Sequence, residues 1–535
     1  MRKHGWKQWE MTFVRCWMRS VLWSVLIAAM AAIAHGQPPA INLAPDGAVI
    51  EDIRAERLLI RLREKLRTFS LSTEGSLRVV SGPYTSELPA GTWKLQLNES
   101  TPAQFRYRVI VKGLNPDEFS DAAEHIQKWR ANGYTPERMM LGHKLRLASG
   151  GTIDARVLWI SLAVRDTDLQ AETLRNELEA EGTWAWQRAE LAAAGSGKAA
   201  LSSTSHGKAY AVTFPATFSS SKPITLAAQK EYESRSYSGE LELGIGEDGA
   251  ITVTERIGID DYLSGVLPSE MPALWPTDAL KAQAVAARSD VLAHMRVKHF
   301  LSGYHFSDTV RDRAYKGAGG RHPAADAAVT ATRGEVLSDG VRLLPGVFSA
   351  TCGGWTEDNE TVWYAPGDAA LRGRMDMPSG GPSPTNMRKW LNSTPDAYCT
   401  YDSKGFRWKR RFSRAELTRM VNQKHGVGTV QRVELGDRGV SGRLKWIRVH
   451  GAKGNATIKK ELPIRQLFGS LPSAMFIIDE QKGANGQTEF VFAGGGRGHG
   501  VGLCQYGARG MAEAGQPYGA ILRHYYAGST VAKVK

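Results

Sequence analysis

Glu270 is the lone carboxylate in Val266-Leu267-Pro268-Ser269-Glu270-Met271-Pro272-Ala273-Leu274-Trp275-Pro276, set between prolines and apolar runs. A carboxyl among Leu267, Met271, Leu274 and Trp275 loses hydration, which favours its protonated form and raises its pKa. Such an acid can protonate the leaving oxygen of a glycosidic bond near neutral pH. Most glycosidases pair it with a second carboxylate; the candidate here is Glu357. Two cations follow Glu270 closely. Lys281, Ala284, Val285 and Arg288 have i, i+3, i+4, i+7 spacing and share one helix face. Lys281 and Arg288 near an isolated carboxylate fit an electron-rich ligand, with Arg suited to bidentate carboxylate recognition. The plainer reading is a salt-bridged helix face.

Two further clusters carry polar groups. Ser349, Thr351, Gly353, Gly354 and Glu357 form one, where paired glycines allow close backbone approach. A tight turn with Glu357 at the surface is the plainer reading. The other is the glycine-rich run Gly494–Gly502. It lacks the Lys-Ser/Thr of a phosphate loop, and Val501 stands where a dinucleotide fingerprint needs glycine. His499, Gln505 and Tyr506 read instead as groups at a cleft wall, aimed by the glycine loop.

The elements that must position these residues are partly legible. Pro276 suits the first position of a helix and Asp278 its positive end. Alanine-rich sequence carries that helix to about Met295. Strands are expected at Tyr237–Leu243, Ala250–Thr254, 334–337 and 347–350, with Ile257–Leu267 as a lead-in to Glu270.

The Glu270 segment, continued by Thr277-Asp278-Ala279-Leu280-Lys281-Ala282-Gln283-Ala284-Val285-Ala286-Ala287-Arg288, resembles the signature of the sporulation stage-II protein D family (SpoIID/LytB). Gly334-Glu335-Val336-Leu337 with Ser349-Ala350-Thr351-Cys352-Gly353-Gly354-Trp355-Thr356-Glu357 is similar to the family's central block. Gly496-Arg497-Gly498-His499-Gly500-Val501-Gly502-Leu503-Cys504-Gln505-Tyr506-Gly507-Ala508 is similar to its C-terminal block. The resemblance implies a peptidoglycan lytic transglycosylase with Glu270 as its catalytic residue. Such an enzyme works with one carboxylate: the group that protonates the leaving oxygen then takes the proton of the muramic acid C6 hydroxyl, which closes a 1,6-anhydro ring without water. Some relatives carry a His/Cys/Cys zinc cluster before an Ala-Tyr segment. Here His305–Gly317 holds no cysteine, so no metal is expected there, and His299 or His305 alone cannot hold one.

The 535 residues allow two or three domains. With 42% hydrophobic and 23% charged residues, the composition suits folded rather than disordered chain. A net charge of +14 points to polyanionic partners, but no nucleic-acid motif accompanies it. Residues 1–36 read as a secretory signal: a basic stretch with Arg2, Lys3, Lys7, Arg15 and Arg19, an apolar run Val21–Ala34, and small residues Ala32–Gly36. The run is short of the roughly 20 residues of a membrane helix, although an uncleaved anchor is the alternative. Its removal takes away five Lys/Arg and one Glu and leaves +10. Cys352, Cys399 and Cys504 then remain. One disulfide plus a thiol, or a three-thiolate metal site, are both open; the spacings match no short zinc motif, and structural thiols are the favoured reading.

Residues 37–104 read as a linker and small strand-rich region, 105–190 as a β-α-β-α-β unit, 191–234 as an Ala/Gly/Ser-rich linker, and 235–533 as the catalytic domain. The 105–190 unit, with an added strand expected near Lys144–Arg146 and a last short one at Thr183–Trp186, resembles a SPOR glycan-binding module. The expected fold class is α+β. The expected protein is exported, to the periplasm or cell envelope, and needs no cofactor. Its substrate is peptidoglycan glycan stripped of peptides, and its partner an amidase that does the stripping. The alternative is a non-catalytic glycan-binding enhancer of such an amidase.

Overall fold

The computed structural model describes residues 48–203, 207–309, 312–378, 384–483, 486 and 488–535. The expected signal and the start of the first linker lie outside them. No helix among the described residues is long and apolar enough to cross a membrane. The architecture is α+β.

Period-two burial builds the largest part. Thr68–Thr73 turns Phe69 and Leu71 inward, and Glu240–Ile245 does the same with Leu241, Leu243 and Ile245. Two mostly antiparallel sheets share one apolar core. The first runs Phe306–Ser307, Arg57–Leu66, Ile251–Gly258, Glu240–Ile245, Ala216–Ser220, Leu77–Ser81, Tyr84–Leu88. The second runs Ala209–Phe214, Ser196–Ser203, Gly91–Thr101, Thr68–Thr73, Ile224–Leu226, Arg235–Tyr237.

This corrects two expected boundaries. The described residues of 37–104 and 191–234 are not a separate region and a linker; their strands interleave with strands Glu240–Ile245 and Ile251–Gly258. Leu58 stands opposite Ile257, and Phe218 opposite Leu241. Strand Ser196–Ser203 is rich in Ala and Ser, which are poor strand markers, but Ala199 and Leu201 still alternate into the core.

Residues 104–193 form a four-stranded antiparallel sheet ordered Trp186–Ala193, Gln104–Leu114, Val157–Arg165, Glu137–Leu141, with helices Phe119–Ala131 and Asp168–Ala180. This is a split β-α-β arrangement. Its fourth strand is Glu137–Leu141; Lys144–Arg146 pairs instead with Val49–Ile50 and Thr152–Asp154. The last strand begins where the expected short one ends, at Trp186. Trp129, Leu174 and Leu178 fill the space between helices and sheet. The other sheet face lays Ile110, Met139, Leu141 and Trp159 on Val297 and Leu301, so the module is packed onto the rest of the chain.

A helical layer follows strand Ile251–Gly258. Helix Ile259–Glu270 ends on the glutamate. Gly265 and Pro268 argue against a helix there, yet both fit: a β-carbon at 265 would strike the Tyr315 ring, 2.5 Å away, and Pro268 lies in the final turn. Helix Thr277–His294 starts one residue after Pro276, which caps it. From Ala279 to Leu292 every residue but Lys281 is buried, because the helix is surrounded by helices Ile259–Glu270, Pro323–Ala331, Gln505–Glu513 and Tyr518–Tyr525 and strand Glu335–Ser338. A last lobe, strands Arg407–Ser413, Phe476–Lys482 and Thr488–Gly495 beside Val430–Leu435, Trp446–Gly451 and Gly454–Lys459, has its own core around Trp408, Phe476 and Phe492. The stretch 366–402, which reads as a surface excursion, turns inward at Leu371, Trp390 and Cys399.

Candidate functional site

Glu270 is the half-buried last residue of its helix, flanked by the buried Leu267 and Met271. Burial raises its pKa; the Arg313 guanidinium and a hydrogen bond with the Gln505 side chain pull the other way, and the Asp290 charge adds to the rise. The net direction is up, which favours a carboxyl that carries its proton.

Each neighbour is positioned by an identifiable element. Gln505 opens helix Gln505–Glu513, and its Nε2 lies 3.4 Å from Gln283 Oε1. Gln283 and Asp290 are seven residues apart on the long buried helix, so they share a face. Asp290 is paired with Arg313 and lies 3.3 Å from His294 Nδ1. Burial opposes its ionisation, but Arg313 and His294 hold its carboxyl well below the usual carboxylate range. The Arg313 guanidinium in turn covers the Phe348 ring at 5.3 Å. The glycine-rich loop brings Gln505 into place. At Gly500 (φ 78°) a β-carbon would meet the Arg443 guanidinium at 2.4 Å. Fully buried Arg443 clamps that loop to the central block by donating to the carbonyls of Gly498 (3.2 Å) and Cys352 (3.3 Å).

An aromatic and cationic wall adjoins the glutamate. Trp275 and Tyr506 pack edge to face at 4.7 Å. Arg509 lies over Trp275 (5.4 Å) and Tyr401 (4.6 Å), and Arg497 over Tyr506 (5.9 Å). Leu274 is 90% exposed and Tyr401 50%. A recess of about 520 Å³ lined by Arg54, Arg57, Asp260 and Arg333 lies at the other end of the glutamate helix and holds none of these groups.

Of the residues singled out in the sequence, Gln505 meets Glu270 and Tyr506 joins the wall. The others are engaged elsewhere. Arg288 is fully buried and spends its donors on Asp260 (3.1 Å) and on the carbonyls of Thr332, Val329 and Glu335, leaving none for a ligand. It is neither a cleft cation nor part of a solvated face. Lys281 lies over the Tyr518 ring at 5.7 Å. Glu357 is fully buried, not at the surface; it accepts from Ser441 Oγ (2.6 Å) and from the amides of Asp358 (2.9 Å), Val440 (3.0 Å) and Ser441 (3.2 Å). Ser349 Oγ accepts from the Gly500 amide, Thr351 donates to Asp402, and Gly354 faces the Trp390 ring. His499 Nδ1 accepts from the Val501 amide (3.1 Å), so its other nitrogen donates to the Phe348 carbonyl (2.8 Å). Burial pushes this neutral ring down to about 4. His299 is paired with Asp312, and His305 Nδ1 accepts from the Leu59 amide.

Arg313, Asp290 and Gln283 are site neighbours that the sequence reading passed over. A polar i, i+7 pair inside an otherwise apolar helix is the signal that marks Gln283 and Asp290. Cys352, Cys399 and Cys504, far apart in sequence, meet beside Asp376, with all four ligand atoms within 4.8 Å of one another.

The model of the stage II sporulation protein family matches residues 247–338, and that of a domain of unknown function (DUF8618) matches 369–502. An uncharacterised protein of Brachyspira hyodysenteriae is 30% identical over 293 residues, 55% of this chain and 71% of that protein. Stage II sporulation protein D of Bacillus amyloliquefaciens is 30% identical over 294 residues, 52% of this chain and 75% of its own length. The amidase enhancer of Bacillus subtilis is 28% identical over 291 residues, 50% of this chain but 40% of that protein. Glu270, Gln283, Asp290 and Arg313 all fall inside the matched 247–338, and the chain belongs to the stage II sporulation protein D family.

Proposed function

We propose that this protein is a lytic transglycosylase that cuts the bond between N-acetylmuramic acid and N-acetylglucosamine in peptidoglycan glycan, leaving a 1,6-anhydro end. Family membership supports a cell-wall role. The observation that carries the finer reading is the state of Glu270: a half-buried carboxyl with raised pKa, at a helix end beside a half-buried aromatic pair. Its neighbour Asp290 is held ionised by Arg313, so the two carboxyls are kept in different protonation states.

The protonated Glu270 gives its proton to the leaving N-acetylglucosamine oxygen as the anomeric C–O bond breaks. The carboxylate formed then takes the proton of the muramic acid C6 hydroxyl, whose oxygen bonds to the anomeric carbon. The proton returns to Glu270 and no water is consumed. Arg313 limits the energy rise when the carboxylate is charged, and Gln505 orients it by hydrogen bonding. Trp275, Tyr506 and Tyr401 offer ring faces and edges to sugars. Arg497, half-exposed while paired with Asp402 (2.9 Å), and Arg509, 3.6 Å from Glu513, offer charge to the lactyl carboxylate, the task the sequence reading gave to Lys281 and Arg288. Glycan without stem peptides fits such a wall, and an amidase would supply it. Export to the envelope, through the leader over 1–36, belongs to the same proposal, as does glycan binding by the 104–193 module.

Similarity to an amidase enhancer favours a second reading, in which the cleft binds glycan and stimulates an amidase without cutting. Mass spectrometry of peptide-free glycan after incubation with the wild type and with Glu270→Gln separates them. Anhydromuramic ends from the wild type alone support the transglycosylase. Reducing ends mean a hydrolase. Glycan binding with neither product, together with amidase stimulation by both proteins, leaves the enhancer.

A further inference from the structure

Behind Gln505 three thiols converge with one carboxylate. We propose that Cys352, Cys399, Cys504 and Asp376 bind a single structural zinc ion, which fastens the central block, the inward-turned 366–402 stretch and the Gln505 helix to one another. The residues come from three separate parts of the sequence and all four are fully buried. Cys352 Sγ lies 3.5 Å from Cys399 Sγ and 3.1 Å from Asp376 Oδ2. A tetrahedral ion with Zn–S near 2.3 Å and Zn–O near 2.1 Å separates its ligand atoms by about 3.5–3.8 Å. The cluster, with separations from 3.1 Å and none above 4.8 Å, brackets that size.

Its surroundings are those of a ligand set. Tyr525 donates to Asp376 Oδ1 (2.6 Å) and His524 Nε2 lies 3.5 Å from the same atom, which leaves Oδ2 turned to the thiols. Orientation of a ligating carboxylate by an outer hydrogen bond is a usual feature of metal sites. Cys504 Sγ accepts from the amides of Cys352 (3.2 Å) and Gly507 (3.3 Å), an arrangement suited to a thiolate. The Arg407 guanidinium, which donates to the Gly353 carbonyl at 3.0 Å, lies close enough to Cys399 and Cys352 to offset their charge. A Cys352–Cys399 disulfide would remove the Cys352 S–H that meets the enclosed Asp376 Oδ2 at 3.1 Å, which is costly. Three soft thiolates and one oxygen in a closed tetrahedral set select zinc among abundant divalent ions. The proposal is independent of whether Glu270 is catalytic.

Metal analysis of the full-length protein, purified without chelator and dialysed, should find about one zinc per chain, bound with its thiols deprotonated. Stripping the zinc should lower the thermal midpoint, and adding it back should restore it. Cobalt loading of the stripped protein should give the visible bands of a tetrahedral cobalt–thiolate centre, lost on zinc addition; this readout needs no variant. Cys399→Ser should carry little zinc. Three results would overturn the proposal: metal-free protein with three titratable thiols and no cobalt spectrum, a Cys352–Cys399 disulfide in peptide mass spectra of the protein as isolated, or equal zinc in a folded Cys399→Ser variant, which means an adventitious ion only.

Discussion

The regions around Glu270 and Glu357 push their carboxyls in the same direction and leave them in opposite situations. Burial raises the pKa of each. Around Glu357 the protein closes: a Ser441 hydroxyl and three amides donate to a carboxylate with no exposed surface. Around Glu270 one side stays open, and Arg313 and the Gln505 side chain act on it where Glu357 has its ring of amides. A raised pKa therefore marks a desolvated carboxyl but not a reactive one. What separates the two is whether the oxygens still have room for a partner from outside.

The same substitution at both positions is the strongest way to break this comparison. Glu270→Gln should lower anhydromuramic product formation by about 10²–10⁴-fold, with unfolding free energy changed by no more than about 0.5 kcal/mol; product quantitation beside urea unfolding measures both. Cleavage at the wild-type rate would remove Glu270 from the chemistry. Glu357→Gln should do the reverse. It turns an amide NH₂ toward existing donors and should cost about 2–3 kcal/mol of stability, while cleavage per folded molecule is retained. An active-site loss there without destabilisation would erase the distinction between the two regions.

Arg313 sharpens the contrast through pH. Its charge lowers the Glu270 pKa. In the proposed reaction the protonated acid is the active form, so activity falls as pH rises through that pKa. Arg313→Gln should move this alkaline limb of the kcat/KM profile upward by about 1 pH unit. A downward shift would mean another group sets the limb. The smallest effect is expected at the wall: Arg509→Ala should raise KM for glycan by roughly five-fold, about 1 kcal/mol, with kcat nearly unchanged in steady-state kinetics.

Glu270 is legible as a candidate because local sequence isolates it, and the long helix because alanine and its first-turn aspartate announce it. The helix that carries Glu270 was hidden by Gly265 and Pro268, whose acceptance depends on Tyr315 and on the helix ending there. Arg288 was misplaced because i, i+7 spacing defines a face without saying what lies against it. In this case it was the Thr332 and Val329 carbonyls. The strands in 191–234 are not legible because Ala and Ser are poor strand markers, although Ala199 and Leu201 alternate into the core. The meeting of Cys352, Cys399 and Cys504 is wholly tertiary, and no local spacing encodes it.

The interleaved sheets carry a consequence for synthesis. Strand Arg57–Leu66 hydrogen-bonds to Ile251–Gly258 and Phe306–Ser307, so its edges have no native partner until the chain has been made past residue 258. The Leu77–Ser81 and Tyr84–Leu88 hairpin can pair as it emerges, but strand Arg57–Leu66 cannot. It must be held open by whatever handles the nascent chain, and a pause in translation before residue 251 presents unpaired, apolar strand edges to neighbouring chains. Aggregation during production should therefore begin with fragments ending there rather than with the finished protein.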